Sequence, residues 1–196
     1  MKTSPHPSSQ QPSSRPSSHG TIRQLTLIGL TTAVICIFGP IVLPLPFSPV
    51  PISLTGFAIY FTAYVLGKRN GTLSCMIYLL IGLAGVPVFS GFSAGPGKLL
   101  GPTGGYLIGY LFMAWICGYF VEKWPGRRLM QFAGMLFGTM VCYFFGTIWL
   151  SFQAKLSFQA ALAAGVLPFL PGDLIKILLG MIIGRQLRRR LQKLNF

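Results

Sequence analysis

Acidic side chains are nearly missing from this sequence: among 196 residues only Glu122 and Asp173 carry a carboxylate. Paired-carboxylate acid–base chemistry is thereby excluded. Histidine is as scarce, with His6 and His19 both close to the N-terminus. The four cysteines, Cys36, Cys75, Cys117 and Cys142, each fall within an apolar run and show no CxxC spacing. Neither a disulfide framework nor a zinc site is indicated, and they read as small packing residues. No nucleophile–base pair or metal cluster can be assembled, so no enzyme is expected, and no cofactor. Charge of any sign is rare as well, at 9% of residues. A soluble domain carries about 25% and needs it to clothe a water-facing surface.

Hydrophobic residues make up 52% of the chain instead. A bilayer crossing takes roughly 20 apolar residues, so five or six spans fill this length and leave no room for a second folded domain. The net charge of +14 does not point to nucleic acid. Its basic residues flank apolar runs and form no aromatic-interleaved face; they read as topogenic, lipid-facing charge.

Residues 1–20 are rich in Ser and Pro, free of acids and without an apolar run. A disordered cytoplasmic tail is the favoured reading. Organellar transit sequences share this composition, which keeps an organellar membrane as the weaker placement. The membrane domain then occupies 21–193. Within it, apolar runs predict six helices near 24–43, 53–67, 71–86, 104–122, 129–151 and 171–187, with an amphipathic connection near 157–166. The first is expected to stop at Pro44-Leu45-Pro46. Gly67-Lys68-Arg69-Asn70-Gly71 forms a tight turn between the second and third. Several spans are short for a hydrocarbon core of about 30 Å, so half-spans or breaks are expected.

With six crossings, 13 of the 16 basic residues fall on one side, leaving Lys98, Lys155 and Lys176 for the other. By the positive-inside rule both termini are cytoplasmic, whereas five crossings would separate the C-terminal cluster from the rest. The unusual segments therefore face outward: Pro44 to Pro51, Pro87 to Gly104, and Pro168 to Lys176. Glu122 lies inward among Lys123, Arg127 and Arg128 as an ordinary interfacial charge.

Asp173 and Lys176 lie three residues apart at the start of the last apolar helix and share a face. Placing either charge in a bilayer costs about 2.5–3.5 kcal/mol on insertion scales. A helix cap with a neutralising lysine is the plain alternative. The near absence of other charges favours a ligand site for a molecule with polar donors and a negative group. Gly91-Phe92-Ser93-Ala94-Gly95-Pro96-Gly97-Lys98 is not a Walker A loop, since five residues precede Gly-Lys and Leu99 follows. It reads as a lid over the pocket, with a simple connector as alternative. Thr103 is placed to cap the fourth helix, and Gly104-Gly105 lets backbone approach a neighbour or ligand. Tyr78, Phe89, Tyr106, Tyr143 and Trp149 suit either an apolar pocket or an interfacial belt. Small residues recur every four positions at Gly29/Ala33, Gly105/Gly109, Ala114/Gly118, Gly134/Gly138/Cys142/Gly146 and Gly180/Gly184, a spacing that lets helices approach closely in lipid. One such stripe is a candidate for meeting a partner protein.

Five motifs in this order resemble the BioY family, the biotin-specific substrate-binding (S) components of energy-coupling factor (ECF) transporters. They are Pro49-Val50-Pro51-Ile52-Ser53-Leu54, Leu66 to Gly71, Tyr78 to Phe89, Gly101-Pro102-Thr103-Gly104-Gly105-Tyr106, and Leu167-Pro168-Phe169-Leu170-Pro171-Gly172-Asp173-Leu174-Ile175-Lys176. The resemblance spans about residues 23–190. It implies an all-α integral membrane protein, a six-helix transmembrane bundle that takes biotin near the outer face of the cell membrane. It also implies a transmembrane scaffold (the T component) and two cytosolic ATPases as partners. On that resemblance Asp173 and Lys176 match the acidic and basic pocket positions, and which of them meets which ligand group stays open. Thr55, Tyr78, Phe89, Ser90, Gly105 and Tyr106 complete the expected binding set. Gly91, Phe92 and Gly95 belong to the matching lid, and Gly29 and Ala33 to the scaffold-facing stripe. Where family members often carry Gln-Thr after the proline-rich motif, this chain has Thr55-Gly56. A self-sufficient secondary transporter for biotin or a related small carboxylate, and a membrane assembly protein, are the competing classes.

Overall fold

The computed structural model describes residues 18–46 and 48–193, and these are mostly helical. The elements are α1 (Ser18–Phe38), β1 (Val42–Leu43), β2 (Ile52–Ser53), α2 (Thr55–Leu83), α3 (Pro96–Leu100), α4 (Gly104–Lys123), α5 (Arg128–Ala154), α6 (Phe158–Gly165) and α7 (Leu170–Lys193). Helix α1 starts at Ser18, so 18–20 are helical, while the rest of the expected tail lies outside the described residues. It ends at Phe38, earlier than expected, because Gly39 precedes Pro40. The Pro40 ring lacks an N–H and disfavours helical geometry at the residue before it. The proline-rich connection is a small antiparallel hairpin, with Val42 opposite Ser53 and Leu43 opposite Ile52.

The expected turn between the second and third helices is a sharp break inside α2. Gly67 has φ +77° and ψ −167°, a conformation reserved in practice for glycine. In a continuous helix residues eight apart are separated by about 12 Å. Here a Cβ on Gly71 would lie 3.2 Å from Ala63 Cα, so the chain folds back on itself. Glu122 completes this corner: its Oε1 accepts the Lys68 backbone N–H at 3.0 Å, and its Oε2 lies 3.9 Å from Lys68 Nζ. The second acid thus does more than neutralise an interface; it caps the resumed helix. Replacing Glu122 by alanine should cost about 1 kcal/mol, as a lost cap does, and glutamine should recover part of it. Thermal unfolding of the three proteins in one detergent measures this.

Close helix approach organises the rest. Helix α4 packs on α5 and α2, and α7 packs on α2. At Gly109 an added Cβ would lie 3.0 Å from Cys142 Cα, and at Gly184 it would lie 2.9 Å from Tyr64 Cβ. The small-residue stripes of α4, α5 and α7 are therefore consumed inside the chain. Helix α1 packs on α2 through hydroxyls, with Thr31 Oγ1 at 2.9 Å from Ser74 Oγ and Thr32 Oγ1 donating to Ser74 O. Its Gly29 and Ala33 face away and are exposed, and nothing lies within 4 Å of a Cβ built on Gly29. Three helices, α1, α4 and α5, are each long and apolar enough to cross a membrane. The pair α6 and α7, bent by 49°, passes the same test together.

Candidate functional site

At one end of the helices the hairpin, the segment after α2, and the α6–α7 junction converge with α4 and α5 around a single cavity. Its volume is about 60 Å³, and about 690 Å³ when the gaps between side chains and the open solvent at its mouth are included. Helix α7 enters it with its first turn, where Asp173 N donates to Phe169 O. That turn delivers the ion pair: Lys176 Nζ lies 2.7 Å from Asp173 Oδ1 and also donates to Ser53 O at 2.7 Å. The other carboxylate oxygen, Oδ2, accepts the Tyr143 hydroxyl at 2.6 Å. Lys176 is 8% exposed. A lysine at that depth needs its partners, and here two of its three N–H donors are spoken for, leaving one for a ligand.

The walls are ordered by hydroxyls from mid-helix positions. Thr139 Oγ1 donates to Met135 O at 2.8 Å, so in its 2.6 Å contact with Tyr60 the tyrosine is the donor. Tyr106 donates to Gly165 O at 2.9 Å and fixes the α6 end against α4. Tyr110 lines the space together with Met113 and Leu107. Thr103 does not cap α4: its buried Oγ1 is without a partner among the described residues and borders the cavity. The combination is a mostly apolar chamber with a few convergent polar groups, the ordinary character of a small-molecule site.

Six of the eight expected binding residues line the chamber: Asp173, Lys176, Thr55, Tyr78, Ser90 and Tyr106. Phe89 and Gly105 do not. Phe89 is fully buried edge-on against Tyr78 at 5.6 Å between ring centroids, filling the space left by Gly82. Gly105 admits the Trp149 side chain, whose Nε1 donates to Gly101 O. Gly91, Phe92 and Gly95 lie in the neighbouring loop, which is pinned at Gly91 N–Pro40 O and Gly95 N–Gly82 O, with Phe92 exposed. Tyr60, Tyr110, Thr139 and Ser53 join the wall, although sequence reasoning does not single them out. The first three are polar groups inside apolar runs, a signal that was present; Ser53 contributes a backbone carbonyl, which no side-chain pattern reveals.

The basic residues gather at the other end. Arg188 donates to Tyr64 O and Arg23 to Leu191 O, close to the Gly67 corner and Lys68. Along α7 the nine steps from Lys176 to Arg185 rise about 13 Å, so the ion pair and the arginines lie toward opposite ends of one helix.

Comparison with known proteins agrees with this geometry. The sequence profile described as the BioY family matches residues 8–193. The chain is 36% identical over 178 residues to the biotin transporter BioY of Lactococcus lactis, covering 86% of this chain and 92% of that one. It is 37% identical over 168 residues to the biotin transporter BioY of Thermotoga maritima, covering 86% and 97%. The crystal structure of the S-component for biotin from an ECF-type ABC transporter superposes with a TM-score of 0.83 at 34% identity, covering 89% of this chain and 95% of that one. The matched relatives are transporters, and the apolar helices are those of a multi-pass membrane protein. With a profile match across nearly the whole sequence and relatives above 30% identity over nearly their full length, the chain belongs to the BioY family.

Proposed function

We propose that this chain is the biotin-binding S component of an ATP-driven ECF importer, and that it captures biotin in the chamber bounded by Asp173 and Lys176. The observation that carries the reading is the buried ion pair at the chamber's rim, joined by Tyr143 and Ser53 O. Biotin offers ureido N–H donors, an apolar thioether ring and an anionic tail. On this reading Asp173 accepts a ureido N–H on a remaining lone pair, and Lys176 gives its third N–H to a ligand oxygen. The chamber's apolar side chains cover the ring.

The same reading gives six spans, with α2 counted as two about Gly67 and α6 an outer segment. Both termini then lie in the cytoplasm and the chamber opens outward at the cell membrane. Clustering of the basic residues at the end away from the chamber supports that orientation. The loop carrying Gly91, Phe92 and Gly95 acts as a lid: Ser90 already lines the chamber and the Phe92 ring is free in the adjoining loop. The chain itself catalyses no reaction; a T component and two cytosolic ATPases supply the energy. Equilibrium binding of radiolabelled biotin to the full chain in detergent tests the central reading, and saturable binding at one site per chain is expected. Absence of saturable binding would falsify it.

The exposed Gly29/Ala33 stripe serves as the contact with the T component. Gly29→Leu should leave biotin binding unchanged and reduce ATP-dependent uptake by about tenfold or more, as bulk does at a small-residue helix contact. Uptake by the complete importer in proteoliposomes checks this. Uptake unaffected by the leucine would remove Gly29 from the contact.

A further inference from the structure

A second cavity lies at the end opposite the chamber, and its arginines find no side-chain partner among the described residues. Helices α5 and α7 meet near the chamber, where Tyr143 donates to Asp173, and leave a groove between them farther along. Its volume is about 650 Å³. Leu129, Phe132, Leu178, Met181 and Ile182 line it, with Leu129 77% exposed. The aliphatic stems of Arg128, Arg185 and Arg189 complete the apolar lining and carry their guanidinium groups to its edge. Tyr64 also lines it, held by its hydroxyl donating to Gln131 Oε1 at 2.7 Å. The first turn of α5 opens on the same place without a side-chain cap or an acidic residue.

None of the three arginines makes an ion pair or a side-chain hydrogen bond among the described residues, in contrast to Arg188, which donates to Tyr64 O. The whole sequence offers only two acidic side chains, and both are engaged elsewhere, Glu122 with Lys68 and Asp173 with Lys176. No side chain of this protein is left to neutralise the rim. An anion from outside is the partner open to them, and one with apolar length also suits a groove walled by aliphatic side chains. We propose that the α5–α7 groove binds an anionic phospholipid, with its phosphate among Arg128, Arg185 and Arg189 and an acyl chain along Leu178 and Ile182. Basic pockets between membrane helices hold headgroups by this chemistry, and each nearby arginine contributes about a fivefold gain. The site is separate from the biotin chamber and does not rest on that reading.

Native mass spectrometry of the full chain in mild detergent tests it, with added phosphatidylglycerol, phosphatidylcholine or glycerol phosphate. One phosphatidylglycerol should be retained at about 100-fold lower concentration than phosphatidylcholine, about fivefold for each of the three arginines. The triple variant R128Q/R185Q/R189Q should lose that preference, while R69Q/R190Q/K193Q, at exposed basic positions outside the groove, should keep it. Ile182→Trp, which fills the groove and leaves every charge in place, should also lower retention. That variant serves as the test if the triple variant does not fold. Equal retention of the two lipids, full retention by either groove variant, or displacement by glycerol phosphate alone would each overturn the proposal. The last outcome would assign the arginines to a soluble anion. Binding of an acidic protein segment in place of lipid would overturn it equally.

Discussion

Replacing Lys176 by alanine is expected to weaken biotin binding by about 30-fold or more. The size of the effect follows from what the lysine does in three directions. It neutralises Asp173 at 2.7 Å, ties α7 to the hairpin through Ser53 O, and keeps one donor for the ligand. Truncating one partner of a buried, hydrogen-bonded charge pair costs about 2–5 kcal/mol, much of it from leaving the other charge alone. Affinity lost in this variant thus combines a missing contact with an unpaired carboxylate. The double variant D173N/K176M separates the two contributions. It removes both charges together, so stability should return to near the wild-type value while binding stays weak. Equilibrium dialysis with labelled biotin and thermal unfolding, run on the same preparations, provide both numbers. Wild-type affinity in the alanine variant would move the ligand away from this residue.

The second large effect concerns folding. Gly67→Ala should destabilise the chain by about 3 kcal/mol. Its φ of +77° and ψ of −167° lie in a region that costs any L-residue about 1–3 kcal/mol. A Cβ there would also fall 2.0 Å from Glu122 Oε1. The carboxylate can swing aside only by releasing the Lys68 N–H it accepts, worth about 1 kcal/mol as a cap. The corner matters beyond its own residues, because the two halves of α2 carry Tyr60 and Tyr78 to the chamber on opposite sides of the break. A lowered melting temperature and reduced yield of monodisperse protein are expected. An unchanged melting temperature would mean the corner tolerates a side chain, and the fold-back would need another cause.

The sequence is informative wherever its chemistry is out of keeping with an apolar chain. Of the two acids, the one beside Pro171-Gly172 does reach the chamber, whereas Glu122 reads from its chain neighbours as an interfacial charge and its capping of Lys68, 54 residues away, is not legible there. The helix stretches are visible because apolar runs end at glycines, prolines and charges. What escapes is set by three-dimensional neighbours. Phe89 and Tyr78 are adjacent aromatics, yet one fills the gap at Gly82 and the other borders the chamber, a division decided by packing. Gly105 suggests a close approach, and the close approach is to Trp149 and not to a ligand. Gly39-Pro40 ends α1 ahead of the more conspicuous Pro44-Leu45-Pro46, because the first proline met ends a helix. Thr103 looks like a cap from its place before α4, but its hydroxyl borders the chamber without a partner among the described residues. That hydroxyl is buried and unpartnered among the described residues at the chamber wall, a property no spacing rule contains.

The most direct test is a structure of the full chain with biotin bound. Biotin is expected inside the chamber, with one of its polar ends within hydrogen-bond distance of Lys176 Nζ or Asp173 and its ring against Tyr110 and Phe169. Biotin seated outside this chamber, or inside it with both charged side chains still bonded only to each other, Tyr143 and Ser53, would refute the role given to the ion pair.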